Sequence, residues 1–448
     1  MSEDPRNNIE TKVTGPTKII QVKVHPGNSK PATVIALTQP LQEYLLEQTI
    51  APEDVPLLQG LMYRTLSFYN QVWKDITWRV KILSPEHAFR LGWKPGDPHY
   101  GSMIIKPIDR MPWRLSAGAE FSNATGLQGQ MTAGHINVLG SGETVTAKVV
   151  GRSHLELNFE KPELGRAYNA YGLTIKTGPS LDLAHPWTQR STGASAYLTR
   201  GLAFMGRERF EYKCEARNFV PHMDAPLELR LSAGDSFLSS IKYSYLVDRR
   251  DSPITPTLGY AYKFACELAG LGGDVRFFRQ VGALQYNYPL YPGGWSAGLA
   301  VRGETVLPLN DRLRASDKIW AGGPGFKAYG IGPSSRGKPL GGDVLGSVTA
   351  NVRTPDFSED VPIHLNGFVT ATTLVDSGVT PTNLKGPAKQ FVDPQHVRVF
   401  AGISLVVPFP QLGRVEVGIS RPIKIESHDR LDRLPLTFSL SASFADIC

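Results

Sequence analysis

The side chains that most often do chemistry are few in this chain and stand far apart. Ten histidines are scattered along 448 residues, and the three cysteines, Cys214, Cys266 and Cys448, form no C-x-x-C pair. No histidine stands at a zinc-ligand spacing from them, so neither a structural metal site nor a disulfide framework is expected. The sequence also contains no Walker A loop, no H-E-x-x-H and no G-x-S-x-G. It therefore predicts no catalytic residues, no metal and no cofactor.

One glycine-rich segment formally fits a nucleotide-binding pattern. Residues 323–328 match G-x-G-x-x-G/A, but no hydrophobic strand precedes them and no amphipathic helix follows. Cofactor binding there is not expected. The 48 Lys and Arg residues against 41 Asp and Glu give a net charge of +7. Because basic residues alternate with acidic ones and do not cluster, nucleic acid is not an expected partner.

The composition is that of a folded, turn-rich protein. Charged residues make up 20% of the chain, which also has 44 glycines and 34 prolines. No stretch approaches eighteen apolar residues, which excludes a membrane helix but not a membrane barrel. Residues 1–10 resemble neither a secretory signal nor a transit peptide. The sequence thus predicts either a cytosolic protein or one whose targeting signal lies elsewhere in the chain.

The region from residue 17 to about residue 110 has the mixed pattern of a small α+β domain. The elements predicted are, in order, a strand at 19–25, helices at 41–48 and 53–68, and strands at 76–83 and 103–109. The rest of the chain follows a different pattern.

From residue 112 onward, apolar and polar residues alternate in runs of about eight to twelve, separated by Gly, Pro, Asn and Asp. Phe210, Tyr212 and Cys214, for example, alternate with charged residues, and 397–407 and 415–420 follow the same rule. At roughly twenty residues per strand and connection, this part of the chain predicts about sixteen strands.

Two architectures suit strands that have one apolar and one polar face. A soluble sandwich packs its apolar faces together, whereas a transmembrane barrel turns them to lipid. The runs are about ten residues long, enough to cross a bilayer at a tilt. Their apolar face mixes Ala and Gly with larger residues, a mixture that lipid tolerates because it fills gaps. An all-β transmembrane antiparallel barrel is therefore favoured, and a soluble all-β protein is the alternative.

The stretch from residue 319 to residue 342 is too long for a hairpin turn and is either a flexible surface loop or a segment tucked into the lumen. Its order of G-G-P, an aromatic-flanked basic residue, I-G-P and L-G-G resembles the sixth external loop of the BamA-like outer-membrane assembly superfamily. It is most similar to the channel-forming barrel subunit of the mitochondrial sorting and assembly machinery, the SAM complex. The lumenal-loop residues of this resemblance are Gly323, Pro324, Phe326, Lys327, Ala328 and Tyr329.

Other motifs follow in the family's order. Residues 243–253 and 267–274 resemble its characteristic turn and the strand after it, and the amino-terminal region resembles the POTRA domain that precedes the barrel. The residues in the places of the wall motifs that face the loop are Phe368, Thr370, Arg398 and Phe400. The resemblance covers nearly the whole chain and is strongest from about 240 to 422.

The loop departs from the family signature, which is an apolar residue, Arg, Gly and an aromatic. Lys327 keeps the charge of the arginine but lacks its planar, five-donor guanidinium. Ala328 does not adopt positive φ as readily as glycine. Thr370 and Thr372 stand where the family has Asn or Asp and Gly. The resemblance therefore implies a lumenal loop that is attached differently in this chain.

The end of the chain resembles the sorting signal of mitochondrial barrels, which is polar-x-Gly-x-x-apolar-x-apolar. Thr437, Ser439, Ala442 and Phe444 occupy its positions, with Ser439 in place of the glycine. A last strand that joins an open edge must present one apolar face at spacing two. Since any final barrel strand alternates in this way, a purely structural interpretation stays open.

The resemblance implies an N-terminal tail at 1–16, a POTRA-like domain at 17–110 in the intermembrane space, and a transmembrane barrel at 112–448 in the mitochondrial outer membrane. It implies insertion of β-barrel precursors through a lateral gate between strands at 113–121 and 436–444. The implied partners are precursor proteins, accessory SAM-complex subunits and the lipid bilayer. A passive porin, or a soluble all-β binding protein, is the alternative function.

Overall fold

The structure is a computed structural model of the chain. It describes residues 15–25, 27, 29–30, 34, 39, 42–54, 58, 73–109, 111–122, 126–151, 153–163, 169–179, 187–202, 206–223, 225–252, 255–290, 294–309, 313–320, 334–335, 338–339, 341–357, 363–376, 396–409, 413–425 and 436–441.

The chain divides into two compact units. The first consists of residues 1–116, 132–147 and 158–172, and the second of residues 117–131, 148–157 and 173–448. The boundary between the units therefore passes through strands of the large sheet and does not coincide with the junction between the amino-terminal region and that sheet.

The amino-terminal region is a four-stranded sheet in the order β2-β1-β4-β3, in which β1 and β4 are parallel. Its elements are β1 (Thr17–Val24), β2 (Thr49–Ile50), a 3-10 turn (Pro52–Asp54), β3 (Trp73–Ile82), α1 (Pro85–Arg90) and β4 (His99–Asp109). Its core includes Ile19, Leu45, Trp78 and Met103. The three predicted strands are confirmed, and residues 42–45 are helical as predicted. Most of the helix predicted at 53–68 lies outside the described residues.

The short strand β2 and the six-residue helix α1 were not predicted. Neither is long enough to show a hydrophobic period in the sequence. Pro85 begins α1, a position where a proline's missing N–H is not needed for helix bonding.

The described part of the remaining chain forms a closed antiparallel barrel of sixteen strands, β5–β15 and β18–β22. Their bounds are β5 Trp113–Ser122, β6 Gly126–Ile136, β7 Thr144–Val150, β8 His154–Pro162, β9 Ala170–Pro179, β10 Trp187–Leu202, β11 Gly206–Pro221, β12 Gly234–Asp248, β13 Gly259–Ala269, β14 Phe277–Leu290, β15 Trp295–Pro308, β18 Val344–Arg353, β19 His364–Val375, β20 Val397–Phe409, β21 Gly413–Lys424 and β22 Leu436–Ser441.

Four short elements of the described residues lie in the connections between barrel strands. They are α2 (Leu227–Leu231), a 3-10 turn (Ala315–Asp317), and the two-residue strands β16 (Ser334–Ser335) and β17 (Lys338–Pro339), which pair with each other. The end of the barrel at which β5 begins is called the near end below, and the opposite end the far end. Within the described residues, no helix is long and apolar enough to cross a membrane.

The alternation in the sequence corresponds to the two faces of the barrel wall. On β11, Phe210 and Tyr212 face outward with 42% and 46% of their surface exposed, while Glu215 on the inward face is only 3% exposed. The apolar residues Leu299 and Ile403 likewise face outward. Apolar groups on the outer surface of a closed sheet meet lipid rather than a second sheet. The barrel prediction is therefore confirmed.

Candidate functional site

The predicted wall residues lie together on the lumenal face of β19 and β20. Thr370 is the register partner of Phe400, and Phe368 pairs with Gly402. Phe368, Thr370, Arg398 and Phe400 are all buried, with 5%, 3%, 1% and 2% of their surface exposed. Sequence reasoning thus identified four residues that the fold brings into one inward patch.

Hydrogen bonds to the strands themselves fix this patch. The hydroxyl groups of Thr349 and Thr370 lie 3.0 Å apart, and Thr372 Oγ1 donates to the backbone oxygen of Gly346 at 3.0 Å. Arg398 Nη1 donates to the backbone oxygens of Leu374 at 3.3 Å and His396 at 3.2 Å. Part of the donor capacity of this buried guanidinium is therefore used within its own wall.

Gly402 leaves room for the Phe368 ring beside the wall. A Cβ atom at position 402 would lie 2.5 Å from the Phe368 ring and 2.4 Å from the backbone oxygen of Ile419. Both distances are far shorter than a van der Waals contact, so only glycine fits between this ring and the neighbouring strand. The contact between Phe368 and Gly402 therefore depends on glycine at position 402.

The predicted lumenal-loop residues, from Gly323 to Tyr329, lie outside the described residues. The base of the loop is described on both sides. Ile319 and Gly342 form an isolated antiparallel bridge, with N–H to O distances of 2.7 and 2.8 Å. Asp317, two residues before this bridge, is 3% exposed. The base of this connection is thus packed inside the barrel rather than spread over its surface.

The opposite wall of the lumen is charged. Arg209, Glu211, Lys213, Glu215 and Arg217 alternate along the inward face of β11, and ion pairs connect them: Arg209 to Glu211 at 3.4 Å, Lys213 to Glu215, and Arg217 to Glu215 at 3.8 Å. A polar cavity of about 290 Å³ lies beside this stripe. The periodicity of the sequence had identified these residues as a polar face, but not their pairing.

The near-end turn that follows β12 is held by a compact ionic network. Arg250 binds Asp248 through two nitrogens, at 2.9 and 2.7 Å, and donates to Gln285 Oε1 at 3.0 Å. Arg353, on β18, donates to the backbone oxygen of Thr255 at 3.0 Å. Since β13, β14 and β15 separate β12 from β18 in the barrel, this turn reaches over the lumen at its near end.

Asp251 organises the same turn through backbone contacts. It accepts the backbone N–H groups of Thr257 at 2.9 Å and Leu258 at 3.1 Å, and also the Thr257 hydroxyl. Partial burial by itself would raise the pKa of Asp251, but these hydrogen bonds outweigh it and lower that pKa below its usual value. The carboxylate is thus held in its charged form.

The seam between the first and last strands differs from other strand interfaces of the barrel. Among the described residues, β22 and β5 pair only at Ser439 and Ser122. By comparison, β21 and β22 pair from Arg414 to Ile419, and β10 and β11 pair along all sixteen residues. Thr437 and Ser439 of the predicted sorting signal lie on β22, whereas Ala442 and Phe444 lie outside the described residues.

Sequence reasoning missed one feature of the lumen. Several inward residues near the far end are apolar and fully buried, among them Leu238, Phe277, Val306, Leu345 and Leu374. A barrel lumen is expected to be polar, and a period-two pattern does not reveal an inward apolar residue as unusual. Where apolar residues occupy both faces, the sequence looks like that of a strand buried on both sides, so it does not show what covers the inner face.

The closed sixteen-strand barrel, the buried loop base and the α+β domain before them define a class of outer-membrane barrel protein. Residues 137–444 match the Omp85 superfamily domain, and the chain belongs to that superfamily. It resembles the crystal structure of BamA from Haemophilus ducreyi lacking POTRA domains 1–3, with a TM-score of 0.75 over 95% of this chain and 84% of that one, at 14% identity.

Within the superfamily, the similarity extends to a particular group. The chain is 28% identical over 304 residues to Sorting and assembly machinery component 50 homolog A of Xenopus laevis, and 28% identical over 229 residues to the human homolog. These alignments cover 61% and 46% of this chain, and 60% and 46% of those proteins. The chain thus aligns with about half of the length of the relatives it matches. It is a SAM50- and BamA-like member of the superfamily, a multi-pass barrel of the mitochondrial outer membrane.

Proposed function

We propose that this chain inserts and assembles β-barrel precursors in the mitochondrial outer membrane through a lateral gate between β5 and β22. The observation that carries the proposal is the seam, which has one paired position among the described residues, Ser122 with Ser439. Membership of the Omp85 superfamily supports it. The work requires no bond chemistry, in keeping with a sequence that offers no catalytic motif.

The physical task is to bring backbone polar groups into lipid. An unpaired N–H or C=O group costs several kcal/mol in the bilayer core, so a strand edge cannot enter lipid alone. If β5 and β22 part, each offers an unpaired edge on which a precursor strand can form its hydrogen bonds before it meets lipid. This is strand addition to an exposed edge. A seam with few hydrogen bonds is the interface that separates at least cost.

The amino-terminal domain is proposed to face the intermembrane space and to receive precursors there. An even number of strands returns both ends of the barrel to one side of the membrane, so β4 and the end of β22 would share a compartment. Accessory subunits of a SAM complex are the further proposed partners. The domain also distinguishes the proposal from a passive porin, for which it would have no purpose.

A reversible lock on the seam tests the gate. Ser122→Cys and Ser439→Cys introduce cysteines at the paired position of β5 and β22. Oxidation should block insertion of radiolabelled barrel precursors into mitochondria that carry only this variant, and reduction should restore it. The readout is the protease-resistant, assembled precursor on native gels.

A matched control places the lock in an interface that need not open. Leu405 and Val417 are register partners on β20 and β21, so Leu405→Cys with Val417→Cys should cross-link without loss of insertion. If precursors assemble equally well when the cysteines of the seam are fully oxidised, the proposal of a lateral gate between β5 and β22 is wrong. If depletion of the chain changes membrane conductance but leaves barrel assembly intact, the porin alternative replaces the proposal.

A further inference from the structure

The far end of the lumen contains a continuous apolar cluster instead of water-facing polar groups. It brings together inward residues from seven strands and one residue of the connection after β15, each at most 3% exposed: Leu238, Ala269, Phe277, Val306, Leu345, Leu374, Phe400 and Ile319. A sixteen-strand barrel ordinarily has room for an aqueous interior. Apolar side chains buried inside the wall therefore mean that something fills the lumen at this level.

The filling segment is residues 313–320. Ile319 lies in the seven-strand cluster, and Leu313 packs against it. Ala315 belongs to a second cluster with Trp187, Phe219 and Leu229, and Trp320 packs on it. The Trp187 and Trp320 ring centroids are 5.8 Å apart. The segment thus contacts the inward faces of strands from β10 to β20.

Charged contacts hold the segment from two sides. Arg217 Nη1, on β11, donates to Asp317 Oδ1 at 2.7 Å, and Arg279 Nη2, on β14, donates to the backbone oxygen of Asp317 at 2.7 Å. Arg314 donates to Asp274 Oδ2 at 3.0 Å, and Lys318 pairs with Asp376. Asp317 is the one of these acidic groups that is almost fully buried, with 3% of its side chain exposed.

We infer that residues 313–320 seal the far end of the lumen and that Asp317 is the positioning residue that keeps the seal in place. The inference concerns ion passage through the barrel and is separate from the proposed gate in the barrel wall. Removing one partner of a buried ion pair leaves the other charge without compensation, which makes the packed arrangement much less favourable. Loss of the Asp317 charge should therefore shift the segment toward an unpacked state.

The test uses Asp317→Asn, which keeps the shape of the side chain and removes its charge. In planar lipid bilayers, with no precursor present, the full-length variant should show open-channel events roughly tenfold or more frequent than wild type. Hydrogen exchange of a peptide containing residues 313–320 should accelerate by a similar factor, since the amides of Ile319 and Gly342 lose their mutual bonds. Exchange in peptides from β12 and β13 should not change, which shows that the barrel remains folded.

Arg209→Gln is the matched control. It removes a lumenal ion pair, Arg209 to Glu211 at 3.4 Å, between two residues of β11. It should leave both the conductance and the exchange of 313–320 at the wild-type level. The inference is overturned if Asp317→Asn behaves like wild type in both measurements, if Arg209→Gln has the same effect, or if wild type itself is persistently open. Should Asp317→Asn fail to fold, Arg217→Gln removes the same pair from the wall side and is judged by the same outcomes.

Discussion

An arginine introduced at neighbouring positions of β10 should have opposite consequences on the two faces of the barrel. Ala196 is exposed on the outer face, and Ser195 faces inward beside the polar cavity. The outward-facing Arg190 and Arg200 lie on either side of Ala196. Ten residues at about 3.3 Å each, tilted by about 40°, span roughly 25 Å, the height of an apolar barrel band. Ala196 therefore lies near the bilayer midplane.

The expected cost follows from this depth. Ala196→Arg should lower the free energy of unfolding by about 2–4 kcal/mol, since a guanidinium must be held in or drawn out of the hydrocarbon. Ser195→Arg places the same group in a polar cavity of about 290 Å³ that is lined by both acidic and basic side chains: Glu156, Glu211, Glu267, Lys176, Arg209, Lys213 and Lys242. There the guanidinium stays hydrated and its charge is screened, and the cost should be about 1 kcal/mol or less. The two costs differ by about 1–3 kcal/mol, which corresponds to a roughly fivefold to hundredfold difference in the folding equilibrium constant.

The assay is reversible unfolding in urea of barrels refolded into lipid vesicles, with folding followed by gel mobility without heating. Both variants enlarge a small side chain at the same depth on the same strand, so a general effect of size cancels. Equal costs for the two variants would refute the assignment of the faces. A larger cost for Ser195→Arg would indicate that the face of Ser195, and not that of Ala196, is the one held away from water.

Three further outcomes are expected. Gly259 has a φ of +101°, and a Cβ there would lie 2.1 Å from the backbone oxygen of Arg249. Gly259→Ala should therefore lower the free energy of unfolding in urea by about 3 kcal/mol or more. Gly282→Ala is the control and should lower it by about 1 kcal/mol or less, because no atom lies within 4 Å of a Cβ at that position. The hydrogen bonds that lower the pKa of Asp251 contribute stability that is fully present above the usual aspartate pKa of about 3.9. This stability is lost as the pH falls through the lower pKa of the folded state. The stability advantage of wild type over Asp251→Asn should therefore shrink in acid titrations below about pH 4. Phe444→Ala, or one residue inserted after Ser441, should abolish membrane assembly of the chain while its import continues; a native-size complex of the insertion variant on native gels would leave the strand with a structural role alone.

The wall residues named by the family resemblance illustrate what the period of a strand does and does not fix. Phe368, Thr370, Arg398 and Phe400 were assigned to one wall from the sequence, and antiparallel register places them on adjacent strands with their side chains inward. Period two fixes which side chains share a face of a strand. It does not fix which strands are neighbours or what covers a face.

The loop illustrates the opposite case. The sequence left open whether the connection after β15 lies on the surface or inside the lumen. Its base is inside because Asp317 finds Arg217 and Arg279, residues 100 and 38 positions away. Such distant partners leave no local trace in a sequence, since each residue by itself is ordinary for a polar strand or a turn.

The sequence by itself determined that the large region is built of two-faced strands, about how many there are and which residues share a face, because each of these depends on a period of two within one strand. Only the tertiary structure decided that the far end of the lumen is apolar and filled. Phe277, Val306 and Phe400 lie on the face that alternation assigns to water, yet they are buried. Their environment depends on Ile319 and its neighbours arriving from another part of the chain, and long-range packing of this kind overrides the local pattern.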